Sequence, residues 1–231
     1  MKVTDYRNVS KDEVTSRKFN PWIGISLGNK YFTQEHLADY IRSCLDIAQS
    51  GVLVVIADEP HSINYRVFES MPAQTALAKA CRNGDKVDFL LREVISSLTI
   101  KEGKKIKVVR WGELACTDWY RERFKILEKI FRSDEDFKKN LIEIVRLNMG
   151  DRLEGLELSQ IEELATYVLV ELPIFVGDLK FDETVYDLHL YPGLSLMDEF
   201  ILGLREGKIF PEVSLKIPAK QKLVILEAYA D

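Results

Sequence analysis

Apolar and polar positions along this chain switch between two periods, and the switches mark out its elements. Pro21 to Ser26 (PWIGIS) is a short apolar run that reads as a strand. Leu37, Tyr40, Ile41, Cys44 and Ile47 then recur at helical spacing, which predicts a helix from a Thr33 cap to about Gln49. Gly51 ends that helix. Val52 to Ala57 (VLVVIA) is continuously apolar, rich in β-branched residues and bounded by Gly51 and Asp58, which suits a strand covered on both faces. After a loop containing Pro60, a helical pattern runs from about Pro72 to Leu98, with Asn83-Gly84 as the place for a bend. A strand follows at Ile106 to Trp111.

Thr117 and Ser133 each open a helical pattern, giving helices near 118–131 and 134–147. Ser159 and Glu162 form a capping-box signature for a helix ending at Leu172, before Pro173. Val185 to Leu190 reads as a strand, Ser195 to Arg205 as a helix stopped by Gly207, Val213 to Ile217 as a last strand, and 222–227 as an added edge strand. Residues 1–20 read as a polar tail and 21–231 as one domain. Strands alternating with helices predict a Rossmann-like α/β domain, its mostly parallel five-stranded sheet flanked by helices. Right-handed crossovers put the loops after the strands along one edge, where ligands bind. That edge would collect Ser26, Asp58, Trp111 and Tyr191.

Composition changes this picture little. Of 231 residues, 46% are hydrophobic and 30% charged, an ordinary globular balance. No apolar run is long enough to span a bilayer, and the polar N-terminus has no signal-peptide core. Cys44, Cys81 and Cys116 are scattered and odd in number, which argues against disulfides or a zinc site and for a reducing cytoplasm. A net charge of −5 argues against nucleic-acid binding as a default, although a local patch, not the total, meets a phosphate backbone.

Five constellations carry candidate chemistry. Gly24-Ile25-Ser26-Leu27-Gly28-Asn29 places a serine between glycines where a strand ends, the form of a nucleophile elbow and equally of a small-residue turn. It lacks the third glycine of a dinucleotide fingerprint. Tyr167 and Glu171 share a helix face, and Glu171 interrupts an apolar stretch, so its carboxyl is either desolvated or a rim acid. Tyr191 ends a strand before Pro192, with His189 on the same strand face. Trp111, Trp119 and Tyr120 suggest a pocket wall or aromatic core. Lys79, Arg82 and Lys86 fall on one helix face, with Arg92 further round, and could hold a phosphate backbone or simply be solvated.

Together, GISLGNKYF (24–32), ELACTDWYRER (113–123), YVLVELPIF (167–175) and LYPG (190–193) resemble the tRNA-dependent cyclodipeptide synthases. The likeness covers nearly the whole chain beyond residue 20. It implies the fold of class I tyrosyl- and tryptophanyl-tRNA synthetase catalytic domains. It also implies an ATP-independent aminoacyltransferase with no cofactor or metal. The enzyme would be a cytoplasmic monomer that takes two aminoacyl-tRNAs and makes a cyclic dipeptide, the diketopiperazine. The course would be ping-pong, through an aminoacyl-Ser26 and a dipeptidyl-enzyme.

The resemblance makes Ser26 the nucleophile, Tyr167 and Glu171 the grip on the first amino group, and Tyr191 a participant in closure. Tyr120, Gly28 and Asn29 would serve substrate binding. Trp22, Gly24, Val55, Trp111 and Ile174 would line the first side chain's pocket, and Lys79, Arg82, Lys86 and Arg92 would meet tRNA. Pro192 matches the family's proline-type branch, whereas Asn29 is typical of the histidine branch.

Two other readings stand beside it. Ser26, Asp178 or Asp182, and His189 occur in the chain order of an α/β-hydrolase triad, although only one strand precedes the serine. A non-catalytic tRNA- or nucleotide-binding module is the third.

Overall fold

A computed structural model describes residues 3–16, 18–100, 102–193 and 196–226, with the backbone alone for Leu196. Three parallel strands form one side of the sheet: β2 (Pro21–Ser26), β3 (Gly51–Ala57) and β4 (Lys105–Arg110). On the far side of β2 lie β7 (Leu188–Pro192) and β8 (Lys222–Leu226), also parallel, and then β1 (Val3–Arg7), antiparallel. The order is β1-β8-β7-β2-β3-β4, six strands rather than the five expected. A separate two-stranded hairpin joins β5 (Leu179–Phe181) to β6 (Thr184–Tyr186).

The alternation of β3 side chains explains the layers. Val52, Val54 and Ile56 pack with Ile23, Ile25 and the apolar faces of α2 (Gln34–Ile47) and α4 (Ala73–Ser97). Leu53, Val55 and Ala57 face Trp22, Trp111 and Leu114 on the opposite side, under α5 (Trp111–Ala115), α6 (Asp118–Ser133) and α8 (Leu158–Phe175). A strand buried on both faces has no polar alternate positions, hence the unbroken apolar run. Beyond α8 and α6 pack α3 (Ser62–Phe68), α7 (Glu135–Met149), α9 (Leu196–Arg205) and α10 (Pro211–Lys216). Among the described residues no helix is long and apolar enough to cross a membrane.

Several expectations are corrected. The polar segment 1–20 is not a tail: β1 pairs with β8, and α1 (Lys11–Thr15) is capped reciprocally by Ser10 and Glu13. Val3, Tyr6 and Val14 suffice to seat it against the core. Residues 213–216 lie in α10, with Ile217 as its C-cap, and not in a strand. Pro211 sets the first turn, and Val213 and Ile217, four apart, turn inward while Leu215 is 82% exposed. The strand at 222–226 therefore takes an interior place between β1 and β7.

Local signals shift by a residue or two elsewhere. Glu157 with Gln160, not Ser159 with Glu162, forms the capping box of α8, and Pro173 lies inside the helix, which runs on to Phe175. Asp134 rather than Ser133 caps α7, its carboxylate accepting from the Asp136 and Phe137 N–H groups. Thr33 and Thr117 cap α2 and α6 as read from the sequence. Ser195, the expected start of α9, lies outside the described residues.

α4 is a single helix through Asn83-Gly84. Gly84 answers a packing need there, since a Cβ would lie 2.5 Å from Arg110 Nη2 and 2.7 Å from Asp58 Oδ2. Asp58 is 1% exposed. Its carboxylate accepts from Arg110 Nε at 2.6 Å and the Trp111 N–H at 3.2 Å, while Arg110 also reaches Asp85. This clamp ties the ends of β3 and β4 to α4.

Candidate active site

The parallel register brings the strand ends together. Ser26 pairs with Ala57, Ile56 with Arg110, and Trp22 with His189 on the other side. After Ser26 the chain turns at Gly28, whose φ of +76° only a glycine adopts without strain. The Asn29 side chain braces the turn by accepting from the Tyr31 N–H at 3.0 Å. Above this edge lies a cavity of about 410 Å³, closed by α8 and by the ends of α7 and α9.

Of the twelve residues expected at the site, ten line this cavity: Trp22, Gly24, Ser26, Asn29, Val55, Trp111, Tyr167, Glu171, Ile174 and Tyr191. Two do not. Tyr120 sits behind Trp111, stacks on Phe124 and donates to the Val170 carbonyl at 2.7 Å, so it braces α8 from the rear. Gly28 shapes the turn and faces His61. The basic residues Lys79, Arg82, Lys86 and Arg92 also lie apart, on the outer face of α4. Lys79 bonds Glu69 at 2.8 Å and rests over the Tyr65 ring, and Arg92 bonds Asp88 at 2.8 Å.

The polar heart of the cavity is one connected set. Tyr167 donates to the Glu171 carboxylate, and the Ser26 hydroxyl is in hydrogen-bond contact with both Tyr167 and Tyr191. Glu171 is walled by protein, although the cavity leaves part of its surface open to water. Burial pushes its carboxyl up to about 8, with the Tyr167 bond opposing. Burial likewise lifts the Tyr191 phenol to about 12 and Tyr167 well above its ordinary value, Glu171 adding to both. At neutral pH all three are uncharged proton carriers.

The end of α8 is held by cations and an amide from distant segments. Arg205 Nε donates to the Phe175 carbonyl at 2.5 Å, Arg123 to Pro173 at 3.1 Å, and the Gln221 amide to Ile174 at 3.3 Å. These groups satisfy the open carbonyls of the last turn and offset its negative dipole end, close to where Glu171 must ionise.

Sequence reasoning missed the wall opposite Ser26, made of Asn148 and Met149 on α7 and Met197, Asp198 and Ile201 on α9. Asp198 is 3% exposed in the fold, but beside Glu199 in the sequence it carried no signal of burial. His189 is 2% exposed, and burial together with Arg205 holds its imidazole well below the ordinary range, so it is neutral. It does not form a triad with Ser26. Its strand position is level with Trp22, four residues or about 13 Å before Ser26. Asp178 accepts from the Lys220 N–H and Asp182 pairs with Lys107, which removes the hydrolase arrangement.

The family model for cyclodipeptide synthases matches residues 10–214. The fold is similar to a cyclodipeptide synthase from Bacillus thermoamylovorans, with 18% identity over 95% of this chain and 93% of that one and a TM-score of 0.73. It is similar, at 20% identity over 99% and 96% of the two chains and a TM-score of 0.73, to a Mycobacterium tuberculosis protein whose structure relates cyclodipeptide synthetases to type I tRNA synthetases. A third similar fold is the synthase of Candidatus Glomeribacter gigasporarum bound to Phe-tRNAPhe, at 18% identity over 91% and 88% and a TM-score of 0.56. No curated protein matches the chain by sequence.

Proposed function

The chain belongs to the cyclodipeptide synthase family, and from that premise we propose that it joins two aminoacyl groups from tRNA into a cyclic dipeptide, with Ser26 as covalent carrier. The observation that carries the reading is the enclosure of Ser26, Tyr167, Glu171 and Tyr191 in one cavity, linked by hydroxyl and carboxyl contacts. The family match and the tRNA-bound relative support aminoacyl-tRNA as the substrate.

Ser26 attacks the ester of the first aminoacyl-tRNA, and the terminal ribose leaves with a proton. The activated ester supplies the driving force, so ATP is not needed. The Asn29 N–H, only 3.5 Å from the Ser26 carbonyl, is loosely held and free to steady the oxyanion. Glu171 and Tyr167 hold the ammonium of the serine-bound residue. A free α-amine titrates near 7.7–8.0, close to the value of about 8 for Glu171. The proton then passes between them at little cost, and the amine becomes a nucleophile. It attacks the ester carbonyl of the second aminoacyl-tRNA, whose terminal ribose leaves with the proton, and a dipeptidyl-Ser26 results. The new terminal amine closes on the Ser26 ester, with Tyr191 relaying the proton back to the serine oxygen. Tyr191-Pro192 matches the proline-type branch, and the outer face of α4 is the candidate tRNA surface.

Incubation with charged tRNA should add the mass of one aminoacyl residue to Ser26. The adduct and the cyclic product should both vanish in Ser26→Ala. An active Ser26→Ala variant would overturn the mechanism.

A further inference from the structure

His61 stands beside the Ser26 turn with one ring nitrogen unused. It ends the short turn Glu59–His61 that follows β3. Its ring faces the bend through which the chain leaves Ser26: a Cβ on Gly28 would lie 3.9 Å from His61 Cε1, the ring carbon bonded to Nε2. Tyr65 holds the ring edge-on, with centroids 4.9 Å apart and planes at 75°. The Asn64 amide nitrogen lies 3.3 Å from His61 Nδ1. That nitrogen can only donate, so Nδ1 accepts and the neutral ring carries its hydrogen on Nε2. Burial first, then Arg152, holds the imidazole below its ordinary range, with Glu69 opposing, so the ring is uncharged at pH 7. Nε2 itself is open to solvent and has no partner among the described residues.

We propose that His61 binds the 3′-terminal nucleotide of the charged tRNA, its Nε2–H donating to a ribose or phosphate oxygen just outside the cavity. This rests on the acyl-transfer reading above. The ester carbon must meet Ser26, and the cavity must take the aminoacyl group, which leaves the nucleotide outside it. Two turns continue from the cavity wall. One is Gly28-Asn29 after Ser26, on which His61 packs. The other is Gly150–Leu153, which follows Asn148 and Met149 of α7. Its Arg152 is exposed, lies over the Phe68 ring at 4.9 Å and forms no ion pair among the described residues. The charge of Arg152 is felt at His61. A neutral donor near an unpaired cation suits the oxygens of a sugar-phosphate, which accept hydrogen bonds and carry negative charge. The same place is continuous with the candidate tRNA surface. Tyr65 accepts from the Asn83 amide at 2.7 Å, and Asn83 accepts from Lys86 at 3.2 Å. Lys79 rests over the Tyr65 ring. A chain end that leaves the outer face of α4 for Ser26 therefore passes His61.

The test separates the ring from its N–H. His61→Phe keeps an aromatic ring against Tyr65 and Gly28 but removes the donor. His61→Gln removes the ring but keeps an N–H near the position of Nε2. The substrate is the aminoacyl-tRNA, from the standard set, that acylates the parent fastest. Single-turnover acylation of Ser26, followed by intact mass over a range of tRNA concentrations, gives the half-saturating concentration and the limiting rate. The phenylalanine variant should need about 10-fold more tRNA and the glutamine variant no more than about 3-fold, with limiting rates near the parent's. A parent-like half-saturating concentration in His61→Phe, or an equal rise in both variants, overturns the inference alone and leaves His61 as a prop for the Gly28 turn. Failure of every charged tRNA to acylate Ser26 of the parent overturns the acyl-transfer reading and takes the inference with it.

Discussion

Replacing Glu171 by glutamine should stabilise the protein while it abolishes turnover. Burial lifts the Glu171 carboxyl from 4.5 to about 8. Between those values the folded state holds a proton that the unfolded chain releases. A raised acid pKa means that stability is fully present below about 4.5, falls as pH rises, and levels off above about 8. Each factor of ten in proton affinity is about 1.36 kcal/mol, which bounds the penalty at roughly 4–5 kcal/mol. Water reaching the carboxyl through the cavity reduces it to about 2–3 kcal/mol. Glutamine keeps an acceptor for the Tyr167 O–H and never ionises. In a chain of this size about 1 kcal/mol moves Tm by about 2–4 °C. The variant should therefore melt about 4–12 °C above the parent at pH 8, and the two should nearly converge at pH 5. Thermal unfolding of both proteins from pH 5 to 9 measures this, because all other titrating groups cancel in the difference. Parallel profiles, or a variant less stable at pH 8, would refute the reasoning.

Two further outcomes are expected. Arg110→Met strips the partner from the buried Asp58 carboxylate and should cost about 2–4 kcal/mol in urea unfolding, whereas Arg92→Met, at an exposed pair within α4, should cost under about 1 kcal/mol. Arg82→Ala with Lys86→Ala should weaken tRNA binding and lower the slope of log affinity against log salt by about 1 to 2, with Ser26 acylation at saturating tRNA unchanged; an unaltered slope removes the outer face of α4 from the tRNA surface.

Much of the fold follows from local pattern, and the exceptions have physical reasons. The apolar run of β3 admits no other place than the middle of a covered sheet, and Thr33 and Thr117 cap helices where their side chains permit. Residues 213–217 were ambiguous because Val213, Leu215 and Ile217 suit a strand face, while Val213 and Ile217 alone suit a helix face. Only Pro211 and the outward Leu215 decide it. The edge strand β1 was illegible because a few apolar residues seat it and its bonds come from a strand over two hundred residues away. Within the site, Ser26, Tyr167, Glu171 and Tyr191 were each ambiguous alone, and only the family resemblance of their motifs drew them together. The α7–α9 wall and the place of His61 beside the Gly28 turn are products of tertiary packing, which no spacing along the chain expresses.

The pairing of β1 with β8 has a consequence for the order of folding. Among the described residues the strand at 3–7 finds its one sheet partner at 222–226, and β7, which carries His189 and Tyr191, lies between β2 and β8. During synthesis the emerging chain can stack β2, β3 and β4 early, but half of the sheet waits for its final strand. Closing so long a loop is slow compared with local pairing. A ribosome-bound chain would thus hold Ser26 on a formed strand while the opposite side of its cavity was still open. Loss of β8 would in turn unpair β1 and one edge of β7 together.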